Sequence, residues 1–128
     1  MKNKIAKIPD TELEIMQVIW NNPTPITTSE VKRLLEEERP WSIGALQTLL
    51  NRLIDRGVLE GGMLGKSKTY IPLISEEEYL VAESRSFLRK ITGNSITKLV
   101  ASLYDSQSIS DKDLEELKKF IDSKGKND

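Results

Sequence analysis

The sequence predicts a mainly α fold with one small β-hairpin, in two parts: a helix-turn-helix unit completed by the hairpin, then an all-helical region. Three observations carry this. Most of the chain places apolar residues at helical spacing behind marked start signals. Only residues 58–72 change period, with β-branched and aromatic residues on both sides of a Gly/Lys/Ser tip. The helix before that hairpin has an apolar face opposite a polar one.

The first helix is expected over 8–21, opened by Pro9-Asp10 and carrying Leu13, Met16, Val18, Ile19 and Trp20 in an amphipathic run. Asn21-Asn22-Pro23-Thr24-Pro25 ends it, because prolines so closely spaced cannot continue a helix. Thr27 with Glu30 has capping-box spacing and starts a short second helix through Val31, Leu34 and Leu35. The acidic run Glu36-Glu37-Glu38 beyond it reads as a solvated face.

The third helix, 42–56, has the clearest bounds, with Ser42 as N-cap and Gly57 as C-terminal stop. Leu46, Leu49, Leu50 and Leu53 recur at i, i+3, i+4 and i+7, while Gly44, Gln47, Thr48, Asn51 and Arg52 lie opposite. Trp41 beside Pro40 is expected to anchor the core. The hairpin follows, its strands too short to stand without a helix to pack on.

From Ser75, which has capping-box spacing to Glu78, a long helix runs to Thr92 through Tyr79, Ala82, Phe87, Leu88 and Ile91, and Gly93-Asn94 stops it. Another follows from Ser95 to Ser106 with Ile96, Leu99, Val100 and Leu103 on one face. Ser110 and Asp113 open a last one with Leu114, Leu117 and Ile121 aligned. These stripes cannot all cover one another in a single layer and call for a second copy of the chain. The expected domains are therefore 1–74, the helix-turn-helix unit with its hairpin, and 75–128, a helical dimerisation domain with Phe87, Leu88, Leu99, Val100, Leu103, Leu114, Leu117 and Ile121 at the homodimer interface.

Composition narrows the function. The chain has neither Cys nor His, which removes disulfides, thiolate chemistry, the usual zinc and copper ligands and the commonest general base. With no phosphate-binding Gly-rich loop and no G-x-S-x-G element either, no catalytic constellation is present; no enzyme, cofactor or metal is expected. No apolar run reaches the roughly 20 residues that span a bilayer. Met1-Lys2-Asn3-Lys4 lacks a following apolar segment, so a cytoplasmic protein without membrane insertion is expected. Hydrophobic residues make up 38% but aromatics only 5%, so the core is expected to be mostly Leu, Ile and Val. The net charge of −1 does not by itself mark a nucleic-acid binder.

Helix, helix, capped helix with a polar face, then a hairpin with a basic tip is the order of a winged helix-turn-helix, whose third helix enters the major groove while the wing follows phosphates. Gln47 can make a bidentate contact to adenine, Thr48 can bond a base or touch a thymine methyl, and Arg52 can reach guanine or a phosphate. Gly44 lets the backbone approach DNA closely, and Ser42 joins it at the helix start. Lys66, Ser67, Lys68 and Tyr70 on the wing can bind phosphates, as can Thr28 between Thr27 and Ser29 at the start of the second helix. The expected partner is double-stranded DNA with a palindromic operator. Two other readings stand beside this one: an ordinary solvated helix face, and a winged-helix protein-interaction module without operator binding.

Glu12-Leu13-Glu14-Ile15-Met16-Gln17-Val18-Ile19-Trp20, Trp41-Ser42, Thr48-Leu49-Leu50-Asn51-Arg52-Leu53, Arg56-Gly57, Tyr70-Ile71-Pro72-Leu73, Leu99-Val100-Ala101-Ser102-Leu103, Ile109-Ser110 and Glu115-Glu116-Leu117 together resemble the penicillinase and methicillin-resistance repressors. These form the BlaI/MecI branch of a family that also holds the copper-responsive CopY repressors. The resemblance covers nearly the whole chain. It implies a homodimer of winged-helix domains that binds a two-fold symmetric operator and represses resistance genes. It also implies induction through a membrane β-lactam sensor and a protease that cuts the dimerisation segment. The family's cleaved bond is Asn-Phe; the aligned pair here, Ser102-Leu103, is the candidate cleavage position. Methicillin repressors carry Lys and Arg where this chain has Gly44 and Gln47, so the operator sequence does not transfer. The cysteine-rich tail of the copper-sensing relatives is missing, which excludes metal sensing.

Overall fold

In a computed structural model, residues 5–125 are described; the stretch 1–4, read above for a leader, lies outside them. The first helix, α1 (Asp10–Trp20), follows Pro9 and buries Glu12, Ile15, Met16 and Ile19, one helical stripe. Asn21 and Asn22 close it by donating side-chain N–H groups to the Gln17 and Val18 carbonyls, each at 2.7 Å, which satisfies acceptors that a helix end leaves open.

A strand that the sequence pattern did not announce comes next, β1 (Ile26–Thr27). Two residues leave no alternation to read, and Thr27 also caps the following helix. In α2 (Thr28–Leu35), Thr27 Oγ1 accepts from the Glu30 N–H at 3.2 Å, and the Glu30 carboxylate lies 3.3 Å from the same hydroxyl. The cap of α3 (Ile43–Asp55) is Ser42, whose Oγ accepts from the Ala45 N–H at 3.1 Å. Gly57, at φ +80°, turns the chain out of the helix in the left-handed region that glycine favours.

The hairpin consists of β2 (Leu59–Leu64) and β3 (Ser67–Pro72). Gly65 at φ +62° supplies the positive angle that a two-residue hairpin turn needs at its first central position. The sheet is antiparallel in the order β1-β3-β2, with Tyr70 opposite Ile26 on one side and Gly61 on the other. A Cβ at Gly61 would stand 3.0 Å from Ile54 Cδ1, so glycine there lets the wing lie close on α3.

The chain divides into two compact units, Met1–Glu83 and Ser84–Asp128, the division falling inside α4 (Glu76–Thr92). Tyr79 in the first turn of α4 belongs to the core of the first unit. Its hydroxyl accepts from the Ile8 N–H at 2.9 Å, and its ring lies 5.8 Å from that of Trp20. Trp20 in turn donates its indole N–H to the Ile74 carbonyl at 2.9 Å. Around these pack Ile8, Ile15, Met16, Ile19, Ile26, Val31, Leu46, Leu50, Leu53, Leu59 and Tyr70, with Trp41 at the margin under the Arg39 guanidinium.

The second unit holds the rest of α4 with α5 (Ile96–Asp105) and α6 (Asp111–Gly125). Gly93 and Asn94, both at positive φ, end α4. Ser95 caps α5, and Ser110 and Asp113 exchange bonds of 2.8 and 3.1 Å ahead of α6. Neither α5 nor α6 buries a residue.

Candidate nucleic-acid interface

The leucines of α3 sink one face of the helix into the core, and this turns Gly44, Thr48, Asn51 and Arg52 outward with Gln47 half-buried beside them. A Cβ at Gly44 would meet nothing within 4 Å, so the first turn presents bare backbone to solvent. The Thr48 hydroxyl donates to the Gly44 carbonyl at 3.0 Å. Ser42 is exposed, but its oxygen is occupied by the cap.

Gln47 is tied in two directions. Its Nε2 donates to the Tyr70 hydroxyl at 3.0 Å and to Asn51 Oδ1 at 3.1 Å. The Tyr70 hydroxyl also meets Thr28 Oγ1 at 3.1 Å. Residues from α2, α3 and β3, each picked out by sequence, thereby join in one network. Tyr70 is only 1% exposed: its ring is core, and its hydroxyl is engaged by Gln47 and Thr28.

The two arginines of the third-helix segment have different fates. The Arg52 side chain is exposed and makes no hydrogen bond or ion pair among the described residues. Arg56 grips Glu12, donating from Nε at 2.7 Å and from Nη2 at 3.3 Å. That hydrogen bond raises the Arg56 pKa, against a smaller opposing effect of burial and with help from the Glu12 charge. Glu12 was not singled out by the sequence reading, although a signal was there: with Ile15, Met16 and Ile19 it occupies i, i+3, i+4 and i+7, an acidic residue on an apolar stripe. Its partner, 44 positions away, had none.

On the wing, Lys66 lies in the turn and Ser67 and Lys68 begin β3, all exposed, and neither lysine is paired among the described residues. In the second unit Phe87, Leu103 and Ile121 are exposed, while Leu88, Leu99, Val100, Leu114 and Leu117 are half-buried. Ser102 and Leu103 lie within α5. Among the described residues no group of acidic side chains is arranged to hold a metal, and no helix is long and apolar enough to cross a membrane.

The arrangement defines a winged helix-turn-helix domain continued by a helical unit. The model of the penicillinase repressor family matches residues 8–123. A penicillinase repressor of Bacillus licheniformis is 34% identical over 93% of this chain and 92% of its own length. A methicillin resistance regulatory protein MecI of Mammaliicoccus sciuri is 25% identical over 97% of this chain and all of its own. Among solved structures, the DNA-binding domain of the repressor BlaI aligns at 40% identity and TM-score 0.52, covering 62% of this chain and 94% of that one. The monomeric form of Bacillus licheniformis BlaI in complex with the blaP half-operator aligns at 42% identity and TM-score 0.50, over 59% and 92%. The chain belongs to the penicillinase repressor family, a family of repressors and not of enzymes.

Proposed function

We propose that this chain is a homodimeric transcriptional repressor that binds a palindromic operator and controls a β-lactam-resistance-type operon. The observation that carries this is the α3 face, where exposed Gly44, Thr48 and Asn51 stand beside an unpaired Arg52, flanked by the Lys66 and Lys68 wing. The relative solved in complex with the blaP half-operator supports double-stranded DNA as the partner here. With so few cations on the helix, Arg52 and the Gln47 group choose the site, while the wing, Thr28 at the start of α2 and dimerisation supply holding power.

The second unit supports a dimer by what it leaves uncovered, since no residue of α5 or α6 is buried within one chain. A two-fold dimer sets two recognition helices about one DNA turn apart, roughly 34 Å. Binding of the second half-site then becomes intramolecular, worth a factor of about 10² to 10⁴. A sensor-linked protease that cuts Ser102-Leu103 would remove that factor and leave the reading face untouched. A protease takes an extended segment, so α5 must open locally before Ser102-Leu103 is cut.

The test is binding of fragments from the source genome as a function of salt. Phosphate contacts predict a linear fall of log affinity with log salt, and the palindrome recovered names the regulated gene. A shallow salt dependence without a recovered palindrome would favour a protein-docking module instead.

A further inference from the structure

We propose that Tyr70 sets the hydrogen-bonding polarity of the reading face: it holds Gln47 so that only the amide carbonyl is offered to a base edge, making that position select an exocyclic amine, on adenine or cytosine. This rests on the DNA-binding reading above. The Gln47 amide has two N–H donors and one carbonyl oxygen. One donor goes to the Tyr70 hydroxyl and the other to Asn51 Oδ1, so both are spent inside the protein. The bidentate contact to adenine needs a free N–H for N7 next to the carbonyl for the N6 amine, and no N–H remains. Oε1 is left as an acceptor. In the major groove adenine N6 and cytosine N4 present donors, whereas guanine and thymine present acceptors. Asn51 is the complement, its oxygen occupied and its Nδ2 unengaged among the described residues.

Tyr70 is placed to impose this. It is 1% exposed in the central strand, between Ile26 and Gly61, so its hydroxyl cannot swing away without moving the sheet. Accepting from Gln47 leaves the Tyr70 hydroxyl its own proton; donated to Thr28 Oγ1, 3.1 Å away, that proton would leave the Thr28 hydrogen for a phosphate. One buried phenol thus links a base-reading position to a phosphate-binding one, and bonds in such a chain strengthen each other.

The experiment selects bound duplexes from a randomised double-stranded DNA library with the full chain, its Tyr70→Phe, Asn51→Ala and Gln47→Ala variants, each checked for a cooperative melt. The intact chain is expected to accept adenine and cytosine at one base pair per half-site and to reject guanine and thymine; Gln47→Ala identifies the pair by losing the preference. Tyr70→Phe frees one N–H and is expected to raise the adenine-to-cytosine ratio at that pair about tenfold, the size of a gained bidentate contact. Asn51→Ala, at an exposed position that folding tolerates, frees the other N–H and shifts the ratio in the same direction. An unchanged ratio in both variants, or an intact chain that already selects adenine alone, overturns the proposal. Failure of the intact chain to enrich any sequence overturns the DNA-binding reading itself.

Discussion

Arg56 Nε donates to Glu12 Oε1 at 2.7 Å, joining the end of α3 to the first turn of α1. The Glu12 side chain is 3% exposed and that of Arg56 39%, so a buried carboxylate is held by a cation that snorkels to solvent. The pair ties the C-terminal end of α3 to α1. Arg56→Met, which leaves the carboxylate unmatched, is expected to cost about 1–3 kcal/mol of stability, less than a fully buried pair because the guanidinium is partly screened. Denaturant unfolding of the variant measures it, and an unchanged midpoint would show the pair to be idle.

Arg52 offers the contrast. It is exposed and unpaired among the described residues, so Arg52→Ala should leave the thermal midpoint nearly unchanged while weakening operator binding by about 1–3 kcal/mol. A collapsed midpoint with normal binding per folded molecule would assign the residue to the fold.

Gly44 separates stability from binding in the opposite sense. Nothing lies within 4 Å of a Cβ built there, so Gly44→Ala should stabilise the helix by about 0.5–1 kcal/mol. The same methyl occupies the space through which a groove wall would approach, and DNA affinity should fall. Calorimetry and a binding titration on one sample test both signs; a rise in both quantities would place DNA elsewhere.

The helices of the second unit give a prediction about assembly. Leu103 lies on α5 and Leu117 on α6, on the stripes expected to be covered by the partner copy. Leu103→Asp or Leu117→Asp should yield monomers and abolish tight operator binding, because the intramolecular gain of the second half-site is lost. Sedimentation of an intact dimer would refute it.

Tyr79 predicts an alkaline limit. Burial raises its pKa above the usual 10.0, the Ile8 N–H bond works against this, and the Glu83 and Asp10 charges raise it further. The stability this contributes is fully present below the unfolded value of about 10 and is lost as pH rises through the folded one. Tyr79→Phe should flatten that decline while costing about 1–3 kcal/mol at neutral pH, since the Ile8 N–H loses its acceptor. Unfolding midpoints of both proteins across alkaline pH give the comparison.

Sequence alone determined the helices, their caps and the polar face of α3, because these are local: Thr27, Ser42, Ser95 and Ser110 bond backbone groups three residues away, and apolar spacing can be read along the chain. The basic wing was legible for the same reason, with Gly65 marking its turn. Only the tertiary structure decided what joins across distance. The strand β1 exists because β3 lies beside it. Glu12 and Arg56 meet only when α1 and α3 pack, so the sequence could not say that one arginine of the third-helix segment is structural and the other free. Tyr70 reads in sequence as a wing residue with a polar tip, yet the sheet buries its ring and aims its hydroxyl at Gln47 and Thr28. Which donors remain for DNA therefore depends on bonds between residues 23 and 42 positions apart, a separation that no local pattern records.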